Sequence, residues 1–482
     1  MRNESFLIFD MGCKVNRYEG QALREAWLGL GMIEAGDVER ADVIVINSCA
    51  VTAAAEADLR SSLRRFARLA PRAGIIVTGC AAKLPGAASL PGVRRLVEQT
   101  DKALLLRGPW AEAGLDVSPG LGDFSRAPEG GRGRKDKRHF CPADFHAPGA
   151  RGVHGPESEE AFPAFALSSC ERSRAALKIQ DGCSQGCAYC IVPLVRGRAR
   201  SRPFPETLAE ARRLLRAGFR ELVISGVNLR QYNDGGEDFW DFLARVEKAL
   251  APEWGGRMRL RLSSLDPGQL GDKALRVFAQ SRLLAPHLHL SLQSGSPGVL
   301  RRMGRACRDP QALPGFLDRL GSVWPRFALG ADLLVAFPGE TEAEFLESLE
   351  FVRALPVSYA HVFPYSRRPG TAAADMPGQV GAGLRKERAA KLRALAGEKK
   401  RAFLRGLLEA GTLHVVFEEN RGGGCLGVCE YYAECVLADA RDRPEPRALT
   451  PVSPLGMEGE KLLVRARPME GALMRAHPEV PL

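Results

Sequence analysis

DGCSQGCAYCIVP, residues 181–193, places Cys183, Cys187 and Cys190 at C-x3-C-x2-C spacing, just after the apolar strand RAALKIQ. A structural zinc site commonly takes four ligands, often as two C-x2-C pairs. The nearest other cysteine, Cys170, precedes that strand and so lies at its opposite end. The set is one ligand short. Three thiolates suit a cubane iron–sulfur cluster with one iron left free. An open iron can bind a reacting ligand, as a catalytic zinc keeps an open position. The alternative is a zinc knuckle completed by a distant residue.

Working outward, residues 169–405 carry a β/α rhythm. RAALKIQ, ELVISGV, MRLRLSS, HLHLSLQ, ADLLVAF and AHVFPY read as strands, with amphipathic helices such as PETLAEARRLLRAG and TEAEFLESLEFVRAL between them. Six strands alternating with helices predict a parallel barrel, closed or partial. GLRKERAAKLRALAGEKKRAFLRGLLEA reads as a long basic helix or helix pair closing this unit. Residues 408–467 read as a small β domain, with LHVVFEEN, CLGVCEYYAECVLAD and KLLVRARP as short strands. Residues 468–482 are a tail.

Residues 1–105 form the first unit. FLIFDMG, ADVIVINSC and GIIVTGC are strands, with RYEGQALREAWLGLG and the basic AEADLRSSLRRFARLA as helices between them. This order predicts a small parallel sheet. Cys13, Cys49 and Cys80 each fall just past one of its strands, 36 and 31 residues apart. In an open parallel sheet the carboxyl ends of the strands line one ligand-binding edge. Equivalent positions at three strand ends predict one shared metal or cluster site; independent burial of each cysteine is the alternative. Residues 106–168 are rich in Gly, Pro and Arg and read as a linker or insertion.

The chain has 482 residues, of which 45% are hydrophobic and 26% charged, which fits a folded protein of about three domains. Apolar runs fall short of the ~20 residues that span a bilayer, and the N-terminus is too short in apolar residues for a signal peptide. No membrane partner and a cytoplasmic location follow as expectations. Twelve cysteines in a reducing compartment point to metal or catalysis more than to disulfides. A net charge of +11 hints at a nucleic-acid partner, though a merely basic enzyme would share it.

Cys183, Cys187, Tyr189 and Cys190 in C-x3-C-x-aromatic-C are similar to the signature of the radical S-adenosylmethionine superfamily. GCKVN, NSCAVT and TGCA resemble the methylthiotransferases, which carry a second cluster. KIQDGCSQGCAYCIVPLVRGRARSRP, HLHLSLQSGS, AFPGET and HVFPYSRRPGT extend the resemblance over residues 5–100 and 170–405. GCKVNRYE followed by NSCAVT resembles the branch that acts on N6-threonylcarbamoyladenosine next to the tRNA anticodon, at tRNA position 37. The isopentenyladenosine branch tends toward GCQMN and the ribosomal-protein branch toward GCAKN-like sequences. The stretch EENRGGGCLGVCEYYAECVLAD loosely resembles the small RNA-binding TRAM barrel.

The resemblance implies replacing the C2 hydrogen of adenine by a methylthio group. That hydrogen is not acidic, so a cofactor must supply radical chemistry. It implies two 4Fe-4S clusters. The one on Cys183, Cys187 and Cys190 would bind S-adenosylmethionine at its open iron, where one electron yields a deoxyadenosyl radical. The one on Cys13, Cys49 and Cys80 would supply sulfur, methylated by a second S-adenosylmethionine. The implied partners are a tRNA anticodon stem-loop and a flavodoxin- or ferredoxin-like electron donor.

Further residues read as follows. Tyr189 can pack against the cofactor adenine. Ser225, Gly226 and Asn228 end one strand, and Gly226 lets backbone approach the cofactor closely. Ser263, Gln293 and Asp332 lie at or near the ends of later strands, where binding residues collect. Arg196, Arg198, Arg200 and Arg202 alternate, so an extended segment would put them on one face for phosphates or the cofactor carboxylate. Salt bridges in the barrel mouth are the alternative for each. Thr341 and Glu344 read as a capping box. Cys425, Cys429 and Cys435 read as small interior apolar residues rather than a third metal site. Cys141, Cys170 and Cys307 carry no assignment. A sibling enzyme acting on isopentenyladenosine or on ribosomal protein is the first rival. A non-catalytic, metal-containing RNA-binding protein is the second.

Overall fold

A computed structural model describes residues 4–83, 92–112, 162–163, 165–170, 172–305, 307, 310–418, 425–439 and 444–467. The tail at 468–482, Cys141 and most of the predicted linker lie outside the described residues.

The N-terminal unit is a five-stranded parallel sheet ordered Ile33–Glu34, Ser5–Asp10, Val43–Ser48, Gly74–Gly79, Val93–Leu96. The three central strands are those predicted. The two edge strands were not: one is two residues long, and the other reads VRRL, with no apolar run to mark it. Helix Lys14–Gly29 buries Val15, Tyr18, Ala22, Leu23 and Trp27, a helical stripe. Thr52 caps helix Ala53–Leu69 by accepting from Ala55 N.

The predicted linker at 106–168 is not loose at its described ends. Lys102–Arg107 forms a 3-10 turn whose Leu105 carbonyl accepts from Trp27 Nε1 at 2.6 Å. Phe165 and Leu167 are buried in the main core.

The six predicted strands of the second unit all form, in parallel and in chain order. Ala175–Lys178, Glu221–Ser225 and Arg259–Leu262 make one sheet; His287–Gln293, Ala328–Val335 and Tyr359–Pro364 make another. The bridges Leu260–Leu284 and Leu265–Leu290 join them into a partial barrel. Alternation sets its two faces. Leu222, Ile224, Leu260, Leu262, Leu288 and Leu290 enter the core with the surrounding helices. Their neighbours Glu221, Val223, Ser225, Arg259, Arg261, Ser263, His287 and His289 share the opposite face, the barrel lumen. Thr341 and Glu344 form the predicted capping box at the start of helix Glu342–Ala354.

A single 26-residue helix, Ala382–Leu407, leads to a closed five-stranded barrel. Its strands are Leu413–Phe417, Leu426–Cys429, Glu434–Leu437, Thr450–Glu458 and Lys461–Ala466. The strand at 450–458 was missed because Pro451, Pro454 and Gly456 interrupt its pattern. Cys425, Cys429 and Cys435 are buried in the core of this barrel. Arg259 and Arg261, both held by Glu221, donate to the carbonyls of His414, Val428, Cys429 and Glu430, which docks the small barrel on the large one.

Candidate functional site

Cys13, Cys49 and Cys80 follow three adjacent strands, so the topology brings them to one sheet edge. Gly12, at φ +93°, lies so close to Cys49 that a Cβ there would sit 2.6 Å from the Cys49 Cβ. Burial pushes the Cys49 thiol up to about 11, and the neighbouring Cys80 and Cys13 push it the same way. Cys80 is raised as well, by burial first, with Arg196 pulling against it. Such thiols ionise when a cation binds them, because ligation requires the thiolate.

Cys183, Cys187 and Cys190 occupy the loop after the first barrel strand. Gly182, at φ +66°, admits the Arg198 carbonyl where a Cβ would collide with it. Cys183 N donates to the Gly197 carbonyl at 3.0 Å, and Cys190 N to that of Cys187 at 3.0 Å. Burial pushes Cys190 up to about 12, helped by Cys187 and Cys183. Burial raises Cys187 too, opposed by Arg305. Among the described residues, neither trio draws its three sulfurs within 4.8 Å of one another, as a single ion would require. A cubane spreads its thiolates over different irons, so both trios fit a cluster better than a lone metal.

A buried charge network runs from Cys80 of the first trio to the strand and helix that flank the second in sequence. Glu19 accepts from Lys178 Nζ at 2.7 Å and Arg196 Nη1 at 3.1 Å, and it also pairs with Lys102. Asp181 accepts from Lys178 at 2.7 Å and Arg196 at 2.8 Å. Arg196 also donates to Asn16 Oδ1 at 2.6 Å and, through Nε, to Cys80 Sγ at 3.3 Å. It therefore leaves the loop of the second trio and ends on a cysteine of the first. Burial opposes charge on Glu19 and Asp181, but the cations around them outweigh it and hold both carboxyls below the usual range. Three cations meet two carboxylates, and the remaining positive charge faces the thiols. Glu19, Lys102, Lys178 and Asp181 are buried members of the candidate site that sequence reasoning missed. The signal available was Asn16 and Glu19, one helical turn apart just after Cys13.

Asp10 lies at the edge of this network, accepting from Asn47 at 2.7 Å. Burial is the largest influence and pushes its carboxyl up to about 6 from 3.8. The folded state therefore holds a proton there that the unfolded chain releases near 3.8. Stability is fully present below that value and is lost as pH rises through 6. Asp10→Asn keeps the acceptor for Asn47 and is expected to remove this slope. It should stabilise the protein at pH 7.5 by about 3 kcal/mol, and by well under 1 kcal/mol near pH 4, in melting curves across that range.

The lumen residues form the wall beside the second trio. Asn228 Nδ2 donates to Cys183 Sγ at 3.5 Å, and Asn228 N to Gln180 Oε1 at 2.7 Å. Ser225 is buried and bonds the Val223 carbonyl. A Cβ on Gly226 would come within 2.9 Å of Gln180 Cβ, so the chain is tightly packed there. Among the described residues, Ser263 Oγ is buried without a hydrogen-bond partner, the state of a group that a bound ligand completes. Gln293 has φ 67° at a register shift, a strained conformation of the kind that gathers at binding sites. Asp332 accepts from His289 Nε2 at 3.0 Å and His361 Nδ1 at 3.2 Å. Burial opposes its charge, but these bonds prevail and hold it below the usual carboxylate range. Sequence reasoning missed His289 and His361, although HLHLSLQ and AHVFPY place one on each of two barrel strands. Tyr189 stands edge-on to Phe337 at 6.5 Å.

The four alternating arginines do not share a face. Arg196 ends the short helix Val192–Arg196, and Gly197 turns the chain at φ 75°. Arg202 is buried against Glu210 and Tyr18. Arg198 is exposed, and Arg200 lies in a two-residue strand paired with Gln180–Asp181. Arg196 and Arg202 thus follow the alternative reading, salt bridges within the barrel mouth.

Two family models match the chain: "Uncharacterized protein family UPF0004" over residues 5–93 and "Radical SAM superfamily" over residues 177–352. A Bacillus subtilis protein named threonylcarbamoyladenosine tRNA methylthiotransferase MtaB is 34% identical, covering 85% of this chain and 84% of its own. Its namesake in Thermotoga maritima is 34% identical over 78% of each chain. A Novosphingobium aromaticivorans protein named tRNA-2-methylthio-N(6)-dimethylallyladenosine synthase is 31% identical over 87% of each. Among solved structures, the radical S-adenosylmethionine methyltransferase TsrM of Kitasatospora setae shares the fold. Its TM-score is 0.54 at 14% identity, covering 78% of this chain and 74% of its own. With both cysteine trios in place and this extent of similarity, the chain belongs to the radical S-adenosylmethionine methylthiotransferase family, among its threonylcarbamoyladenosine tRNA members.

Proposed function

We propose that the chain adds a methylthio group to C2 of N6-threonylcarbamoyladenosine in tRNA, next to the anticodon. The observation that carries this reading is Arg196, which ends the helix following the second trio and donates to Cys80 of the first. Cys183, Cys187 and Cys190 would hold one 4Fe-4S cluster, and Cys13, Cys49 and Cys80 the other. When bound, the clusters and S-adenosylmethionine supply the radical and sulfur chemistry that an inert aromatic C–H demands. The chain's own residues position and enclose. Asn228 orients Cys183, the unpartnered Ser263 hydroxyl is open to the cofactor, and the His289–Asp332–His361 cluster fixes a negative charge in the lumen. Tyr189, Ser225, Gly226 and Gln293 complete the cofactor wall.

RNA fits the charge distribution. Helix Ala382–Leu407 carries nine Lys and Arg against two Glu, and Lys386, Lys391, Arg393, Arg401 and Arg405 are exposed. Such a stripe beside the small C-terminal barrel suits a phosphate backbone. A flavodoxin- or ferredoxin-like protein would deliver electrons, and the setting would be cytoplasmic. Among the described residues, no helix is long and apolar enough to cross a membrane.

The test is mass spectrometry of tRNA nucleosides from a host lacking its own methylthiotransferases, with and without this gene. A methylthio adduct on threonylcarbamoyladenosine is the expected result. An adduct on isopentenyladenosine would overturn the substrate. No adduct, from protein loaded with its iron, would redirect the search to ribosomal protein.

A further inference from the structure

A cavity of about 410 Å³ lies between helix Lys14–Gly29 and the partial barrel. Ala176, Val223 and Arg261, all lumen-facing, form one wall, and Tyr432 of the small barrel closes one side. Its lining is strongly cationic: six Lys and Arg against the single carboxylate of Asp10. Three of the six have acidic partners. Arg24 pairs with Glu34 at 2.6 Å, Arg261 with Glu221 at 2.7 Å, and Arg174 with Glu418 at 3.6 Å. Among the described residues, Lys14, Arg17 and Arg172 have no carboxylate within 4 Å.

Lys14 is the telling member. It follows Cys13 directly and sits deep between helix and barrel, yet it keeps open surface because it projects into the cavity. Its neighbour there is the Tyr432 ring, 5.8 Å away. Tyr432 is itself held at φ 62°, between Arg174, Arg261 and His287. All three keep solvent-exposed surface, so their like charges, gathered at one cavity, are not penalised by burial but favour a bound anion.

The cavity also lies at a useful depth. Val223 and Arg261 stand two residues below Ser225 and Ser263 on the same face, a step of about 7 Å along a strand. Asn228, three residues past Ser225, donates to Cys183 of the second trio. An adenine offering C2 to that level carries its N6 substituent on C6, across N1 from C2, and a carbamoyl-amino-acid chain spans such a step. We propose that this cavity receives the carboxylate of the acidic N6 side chain of the target adenosine, with Lys14 as counter-ion and Arg17 and Arg172 at its rim. The assignment rests on the threonylcarbamoyladenosine reading above and adds its means of selection. An apolar N6 group would leave the three cations without the anion they attract. Backbone phosphate is the competing anion, and the comparison of free acid with ester separates the two.

The test uses the full chain with its clusters rebuilt. Anticodon stem-loop RNAs identical except at N6 carry threonylcarbamoyl, its methyl ester, isopentenyl or nothing, and Kd is read by fluorescence anisotropy. The natural chain is expected to prefer the free acid over the ester and the unmodified RNA by about tenfold or more. Lys14→Gln should reduce that preference to under about threefold, with the unmodified RNA's Kd shifting less than about twofold, and Lys14→Arg should restore it. A parallel loss for all RNAs would assign Lys14 to phosphate and overturn the proposal, as would an unchanged preference. If Lys14→Gln loses iron, Arg172→Gln, remote from the cysteines, is read for the same ratio. A natural chain that methylthiolates only isopentenyl RNA overturns the substrate reading. One that methylthiolates the acid and its ester alike overturns the pocket alone.

Discussion

Arg196→Leu is expected to strip the N-terminal trio of its cluster and to destabilise the chain together. The guanidinium makes direct bonds to Glu19, Asp181, Asn16 and Cys80, and it is almost wholly buried. Leucine fills much of the volume but leaves two buried carboxylates sharing Lys102 and Lys178. Removing one partner of a buried ionic set typically costs 3–5 kcal/mol, because the others keep their desolvation penalty. The loss reaches the cluster by a second route. Burial and its neighbours already hold the Cys80 thiol above the ordinary range, and Arg196 is the cation that opposes them. Without it the thiolate needed for ligation is harder to form. The measurements are iron and sulfide per chain and the melting temperature of the apoprotein. Iron should fall from about eight toward about four, and melting should drop by roughly 3–5 °C. Arg196→Lys keeps the charge but cannot fork between Asn16, the carboxylates and sulfur, so an intermediate loss is expected. Full iron with unchanged melting in Arg196→Leu would show that the network does not support the trio.

This network marks the limit of what the sequence discloses. The strands that end in cysteine are apolar runs with turn residues behind them, so their placement on one sheet edge was legible. The six barrel strands were legible for the same reason. Glu19, Lys102, Lys178 and Asp181 were not, because an isolated charge on a helix or strand reads as solvated. Their partners lie as far as 177 residues away in sequence, from Glu19 to Arg196. The arginine run shows how a local pattern misleads. Period-two spacing suggests an extended segment, but Pro193 starts a short helix and Gly197 ends it. That turn sends Arg196 inward to the trios and leaves Arg198 outside. Tertiary contact, not spacing, decides which arginine is structural.

Cys49→Ala is expected to separate two activities that the two trios support. Cys49 follows strand Val43–Ser48 and packs against Gly12. Alanine removes one sulfur from a buried site and introduces no clash, so the fold should survive at a cost of about 1 kcal/mol. Iron should fall by about half, to roughly four per chain. The methylthio product should vanish, while reductive cleavage of S-adenosylmethionine to 5′-deoxyadenosine should continue at a comparable rate. Cys187→Ala should abolish both, because it removes a ligand from the trio that leaves an iron open. The assay is chromatography of 5′-deoxyadenosine beside mass spectrometry of the RNA nucleosides, on the same reconstituted samples. If Cys49→Ala still yields the adduct at the natural rate, the N-terminal trio has no part in sulfur insertion. If it loses cleavage as well, the charge network couples the trios more tightly than ligand identity alone requires, and Arg196, bonded to Cys80 and Asp181 at once, is the residue through which that coupling runs.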